Sequence, residues 1–131
     1  MTASHSGRLG EIRARLDDLA GPDPHDDERE LLARLLRSFT IKTAPAVDRL
    51  AAVLREGDAE DVRERAHGLK GSAANVGAGT LASIFADLEH RARAGALPGP
   101  AALLDAVRAE LDLVVPALMA VADELDPLPA G

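Results

Sequence analysis

Apolar positions recur every three to four residues along most of the chain, and glycine and proline breaks divide them into four or five helical patterns. Ile12, Leu16 and Leu19 give a short leading helix over 11–19 that stops at Gly21-Pro22. Asp23 followed by Pro24 has the form of an N-cap with a first-turn proline. Asp26, Asp27 and Glu28 then stand where the helix dipole favours negative charge. One stripe runs through Leu31, Leu32, Leu35, Leu36 and Phe39 and resumes after Pro45 with Val47, Leu50, Val53 and Leu54. Pro45 therefore either kinks one long helix or separates two.

Asp58 is the next expected N-cap, with Glu60 and Asp61 in the first turn and Gly77 as the natural stop. A further helix from about Ala78, which Thr80 could also cap, aligns Leu81, Ile84, Phe85 and Leu88. It ends at Gly95, where Arg91 and Arg93 complement the dipole. After Leu97-Pro98-Gly99-Pro100, a last helix carries Leu104, Val107, Leu111, Val114, Leu118, Val121 and Leu125, with a kink expected at Pro116. Amphipathic helices with short connections predict an all-α fold, an antiparallel four-helix bundle with a short extra N-terminal helix capping one end. On this reading residues 1–22 are the N-terminal helix and linker, 23–125 the bundle, and 126–131 a frayed tail.

Composition sharpens this picture. The 131 residues are 47% hydrophobic but only 2% aromatic, limited to Phe39 and Phe85, which suits closely packed helices and leaves no period-2 segment for a sheet. A net charge of −7 speaks against nucleic acid, whose phosphates need a basic surface. The most apolar stretch, 111–125, is interrupted by Asp112, Pro116, Asp123 and Glu124, so no membrane span is expected. Neither a signal segment nor a cysteine is seen, and a cytoplasmic location is the expectation.

The candidate chemistry lies in residues 66–78, Ala-His-Gly-Leu-Lys-Gly-Ser-Ala-Ala-Asn-Val-Gly-Ala. At roughly 100° per residue, Val62, Leu69 and Val76 lie about 140° to 200° from His67, while Arg63, Glu64, Lys70, Gly71 and Ala74 lie within about 60°. The apolar stripe must point inwards, so His67 is expected on the solvent side with its nitrogens accessible. Lys70, one of only two lysines beside thirteen arginines, can offset an anion carried by the imidazole. Gly68 and Gly71 each cost roughly 1 kcal/mol relative to alanine inside a helix. At Gly71 the cost is explained by the close approach of a partner, Arg63, Glu64, Gly71 and Ala74 forming its docking face. Gly68 has no equal account.

The same run resembles the histidine-containing phosphotransfer domains of multistep two-component signalling. The resemblance covers roughly 24–120 and extends to Phe39 and to Leu81, Leu88 and Glu89. It implies that His67 is the phosphoacceptor, Lys70 the phosphate-stabilising residue and Gly71 the point of access. It also implies reversible transfer to and from receiver-domain aspartates of response regulators, upstream of which stands a sensor or hybrid histidine kinase. No nucleotide-binding loop is present, so a phosphoryl carrier and not a kinase is expected. No intrinsic cofactor is expected, the receiver supplying Mg²⁺, and a monomer is the simplest state.

Two other readings share the pattern. One is a metal-binding bundle, since Glu64 and His67 have Glu-x-x-His spacing and Asp87 to His90 gives a loose second copy; outward projection of His67 counts against it. The other is an all-helical docking module without phosphotransfer. His5, His25 and His90 are read as solvent-side, and the remaining Arg and Glu residues as solvated helix faces without functional bearing.

Overall fold

A computed structural model describes residues 3–126, the side chains of 3–6 excepted; it is all-helical, with five helices and no strand among the described residues. These are α1 Ala3–Ala20, α2 Asp26–Glu56, α3 Ala59–Asn75, α4 Gly79–Arg93 and α5 Pro100–Leu125. The most extensive pairing is α3 on α4; α2 packs along α5 and against α3, α4 meets α5 more lightly, and α1 lies along α5. The shared core is aliphatic around two rings, Phe39 and Phe85: Leu36, Leu50, Leu81, Leu88, Leu118 and Phe85 are fully buried and Phe39 nearly so. An interior of Leu, Val and Ala lets helices pack closely without large voids.

The helix boundaries follow from local chemistry. Asp58 caps α3, its carboxylate accepting from the Asp61 N–H at 3.1 Å, with Glu60 and Asp61 in the first turn as expected. Pro100 opens α5 immediately after Gly99, where a proline removes no needed donor. The start of α2 differs from expectation: its N-cap is His25, whose backbone N–H donates to Glu28 Oε1 at 3.0 Å, and not Asp23. Pro45 does not divide α2, which runs unbroken from 26 to 56, and α5 likewise continues through Pro116. Ala78, not Thr80, precedes the first residue of α4.

The leading helix is longer than predicted and does more than cap an end. Ile12 is wholly buried and Leu16 nearly so, but Leu19 is exposed, as is Leu31 of α2, so the last member of the first predicted stripe and the first member of the second miss the core. Arg8 donates to Glu110 Oε2 of α5 at 2.8 Å, which satisfies a buried carboxylate. Across the α3–α4 turn, α1 comes so close that a Cβ on Gly77 would lie 2.8 Å from the Glu11 carbonyl oxygen and 2.9 Å from the Ile12 Cα. Gly77 also has φ +79°, so both its backbone and its bareness are required there.

At the far end, Arg37 holds Asp126 at 2.6 Å, so the first residue of the predicted frayed segment is tied down; residues 127–131 of that segment lie outside the described residues. The Arg37 guanidinium also holds the Asp126 carboxyl below its ordinary range.

Candidate functional site

Helix α3 turns Val62, Ala66 and Ala73 inwards, as does Val76 just past its end, and this places His67 on its outer face with 64% of the side chain exposed. The predicted outward orientation is therefore found, with one correction: only one imidazole nitrogen is free. Nδ1 stands 2.9 Å from Oε2 of Glu89, which α4 brings against α3. An ionised carboxylate has no proton to give, so Nδ1 carries the hydrogen and donates it. The Nε2 lone pair is left facing outwards as a nucleophile at the middle of a helix face.

Glu89 is 3% exposed and is the hub of the site. Besides the His67 contact, its Oε1 accepts from Lys70 Nζ at 2.7 Å and its Oε2 from Arg93 Nη2 at 3.0 Å. Burial of a charge is costly unless it is paired and hydrogen-bonded, and here three donors share one carboxylate. The Lys70 hydrogen bond above all, then that from His67, holds the Glu89 carboxyl below the usual carboxylate range against the opposing effect of burial. Glu89 is therefore anionic at neutral pH.

The other sequence-predicted residues fall around this hub. Lys70, about one-third exposed, is on the His67 face as expected, but its ammonium is engaged by Glu89 and not free beside the imidazole. Arg63, four residues before His67, pairs with Glu60. Glu64 is exposed, as are Gly71 and Ala74. Nothing lies within 4 Å of where a Cβ would stand on Gly68 or Gly71, so neither glycine is demanded by packing within the chain. Beside this face, α2 and α3 form a groove lined by Leu35, Phe39, Lys42, Leu69 and Ser72.

No group of three or more residues placed to hold a metal ion occurs among the described residues. Glu64 and His67 do not converge on a common point, since Nδ1 turns to Glu89; Asp87 and His90 are both exposed on α4. His25 is likewise exposed, and the side chain of His5 lies outside the described ones. No helix is long and apolar enough to cross a membrane among the described residues.

Sequence reading missed Glu89 and Arg93 as site residues, and setting the Glu residues aside as solvated faces was wrong for Glu89 and Glu110, both buried. The missed signal is positional. Glu89 follows Phe85 by four and precedes Ala92 by three, so it stands on the apolar stripe of α4. A carboxylate on a core-facing stripe must find partners, and Glu89 finds Arg93 one turn on in its own helix and Lys70 on α3.

A family model described as Hpt domain matches residues 34–117, from inside α2 to inside α5, with α1 outside the match. No curated protein and no solved structure matches the chain.

Proposed function

The chain belongs to the Hpt domain family, and on that premise we propose that it is a phosphorelay intermediate whose His67 exchanges a phosphoryl group reversibly with receiver-domain aspartates of response regulators. The observation that carries this reading is the pairing of an exposed Nε2 with an Nδ1 fixed by a buried carboxylate. Nucleophilic phosphoryl transfer needs a lone pair aimed at the phosphorus and positive charge near the transferred oxygens. His67 supplies the first; Lys70, which shares the face, supplies the second by turning from Glu89 towards the incoming group.

Receiver docking is assigned to the face formed by Arg63, Glu64, Gly71 and Ala74, with the groove between α2 and α3 as its apolar margin. Gly71 leaves the surface low one turn beyond His67, so a partner's aspartyl phosphate can approach Nε2 in line. The divalent cation such transfer requires is assigned to the receiver. Helices α2 to α5 are read as an antiparallel bundle, supported by their short connections and neighbouring contacts. The chain acts as a carrier with no kinase activity of its own, fed by a sensor or hybrid histidine kinase through a receiver.

The decisive experiment is incubation with a panel of phosphorylated receivers. Acid-labile, base-stable phosphate should appear on the wild type and not on His67→Gln. Labelling of His67→Gln would move the acceptor elsewhere, and failure across the panel would leave a docking module.

A further inference from the structure

Glu89 fixes the tautomer that presents Nε2, and its contact with Nδ1 bears also on the phosphorylated ring. We infer that Glu89 keeps the imidazole of His67 protonated at Nδ1 after phosphorylation, so that the phosphoryl group departs from a neutral imidazole instead of an imidazolate. The inference rests on His67 being the phosphoacceptor.

The chemistry runs as follows on the charges present. A neutral imidazole with hydrogen on Nδ1 attacks phosphorus through Nε2; the P–O bond to the donor carboxylate breaks and that carboxylate leaves with its electron pair. The ring now bears one positive charge, delocalised between its nitrogens. In water it would shed the Nδ1 proton, and the neutral phosphoramidate left behind could release its phosphoryl group only by expelling an imidazolate. With an anionic carboxylate 2.9 Å from Nδ1 the charged ring is stabilised where it forms. In the reverse step an acceptor carboxylate attacks phosphorus, the P–N bond breaks, and its electrons return to Nε2 of a neutral ring. No proton moves in either direction.

For this to work Glu89 must hold the proton without removing it. Lys70 above all secures that condition, since its hydrogen bond lowers the basicity of the carboxylate, and Arg93 donates to the same oxygen that faces His67. The remaining charged groups near the pair are Arg63, Glu60 and Glu64 on α3. Arg63 and Glu60 pair with each other, and Glu64 is exposed, so none of them replaces Glu89 at Nδ1. Burial of Glu89 excludes the water that would otherwise screen the interaction.

The test uses potassium phosphoramidate, which phosphorylates imidazole by displacement of ammonia and needs no receiver. The 131-residue chain, labelled with ¹⁵N-histidine, is modified and the ring nitrogens followed by long-range ¹H–¹⁵N NMR against pH. His67→Gln identifies the resonances among the four histidines. The Nδ1 proton of phosphorylated wild type should persist to a pH about one unit or more above that in Glu89→Gln. Phosphoryl release to a receiver from Glu89→Gln should be roughly 10-fold slower at neutral pH and recover on acidification, following the protonated fraction. Arg93→Gln should shift the titration the opposite way, upwards, a sign that loss of packing would not produce. If Glu89→Gln does not fold, Glu89→Asp, which keeps the charge but draws the carboxylate back from Nδ1, should lower the titration in the same sense, and an unshifted titration there overturns the inference.

Superimposable titrations of wild type and Glu89→Gln, an absent or downward shift in Arg93→Gln, or refusal of His67 to react with phosphoramidate would each overturn the inference. The relay reading fails separately, if phosphoramidate modifies His67 but no receiver exchanges phosphate with it.

Discussion

The Nδ1 of His67 and Oε2 of Glu89 stand 2.9 Å apart, joining an exposed imidazole on α3 to a carboxylate on α4 that solvent barely reaches. The two helices are the most closely paired in the molecule, so the imidazole is positioned by the fold and not by its own helix alone. Removing the carboxylate should release the ring to rotate and to exchange tautomers. Glu89→Ala is expected to slow phosphoryl uptake from a receiver by about 10- to 100-fold, the loss typical when a carboxylate orienting a functional imidazole is deleted. Stopped-flow or gel-based transfer rates, taken beside circular dichroism to verify the fold, decide it; an unchanged rate in a folded variant would remove Glu89 from the site.

Gly71 sets stability against access. It lies within α3, exposed, with no atom inside 4 Å of a Cβ built on it. Alanine should therefore stabilise the protein by about 1 kcal/mol, raising the melting temperature by roughly 4 °C. The same methyl group would stand in the path of a docking partner. Transfer from a receiver should fall while modification by phosphoramidate is unaffected. Gly68→Ala, equally open, should give the same gain in stability and serves as the comparison. Thermal melts combined with both phosphorylation reactions test this; receiver transfer undiminished in a stabilised Gly71→Ala would show that the glycine is not there for access.

Much of this arrangement was legible in residue spacing, because a stripe of Leu and Val at helical period has one low-energy solution. The α5 series from Leu104 to Leu125 lies against the core, with only Leu111 partly exposed, and the same periodicity on α3 turned His67 outwards. Two kinds of feature escaped. Which flanking residue caps a helix is a contest of small energies, so His25 displaced Asp23 at the start of α2. A charged residue on an apolar stripe has a partner in another helix, which spacing within one helix cannot reveal; Glu89 and Glu110 are both of this kind. The resemblance to phosphotransfer domains brought Glu89 to notice as part of a motif, without its contact to His67.

The leading helix lies outside the family match, yet contributes a wholly buried Ile12 to the core. Truncating that side chain should cost about 2–4 kcal/mol, from lost burial and the cavity left behind. Gly77→Ala should be destabilising by about 2 kcal/mol or more, since a Cβ would meet the α1 backbone and the residue holds a left-handed conformation. Urea denaturation monitored by circular dichroism measures both. Wild-type midpoints for these two variants would mean that α1 is not seated on the α3–α4 turn in solution.

The Glu89 carboxyl carries a prediction whose sign follows from its partners. Its pairing with Lys70 first, and with His67, holds its folded-state value below that of an unfolded glutamate, ordinarily about 4.3. A depressed folded value means that the ionised pairing stabilises the protein above the unfolded value and is lost as pH falls through the folded one. Lowering the pH from 7 to 5 should therefore leave the hub intact, and its contribution should disappear only below the usual carboxylate range. Lys70→Gln removes the largest cause and should move the Glu89 midpoint upwards towards the ordinary value. Carboxyl ¹³C NMR titration follows this directly, with the other glutamates as internal references. A wild-type Glu89 that titrated among or above them, or a midpoint insensitive to Lys70→Gln, would mean that the carboxylate is not bound by the lysine in solution, and the site would then present a loose imidazole beside a free ammonium.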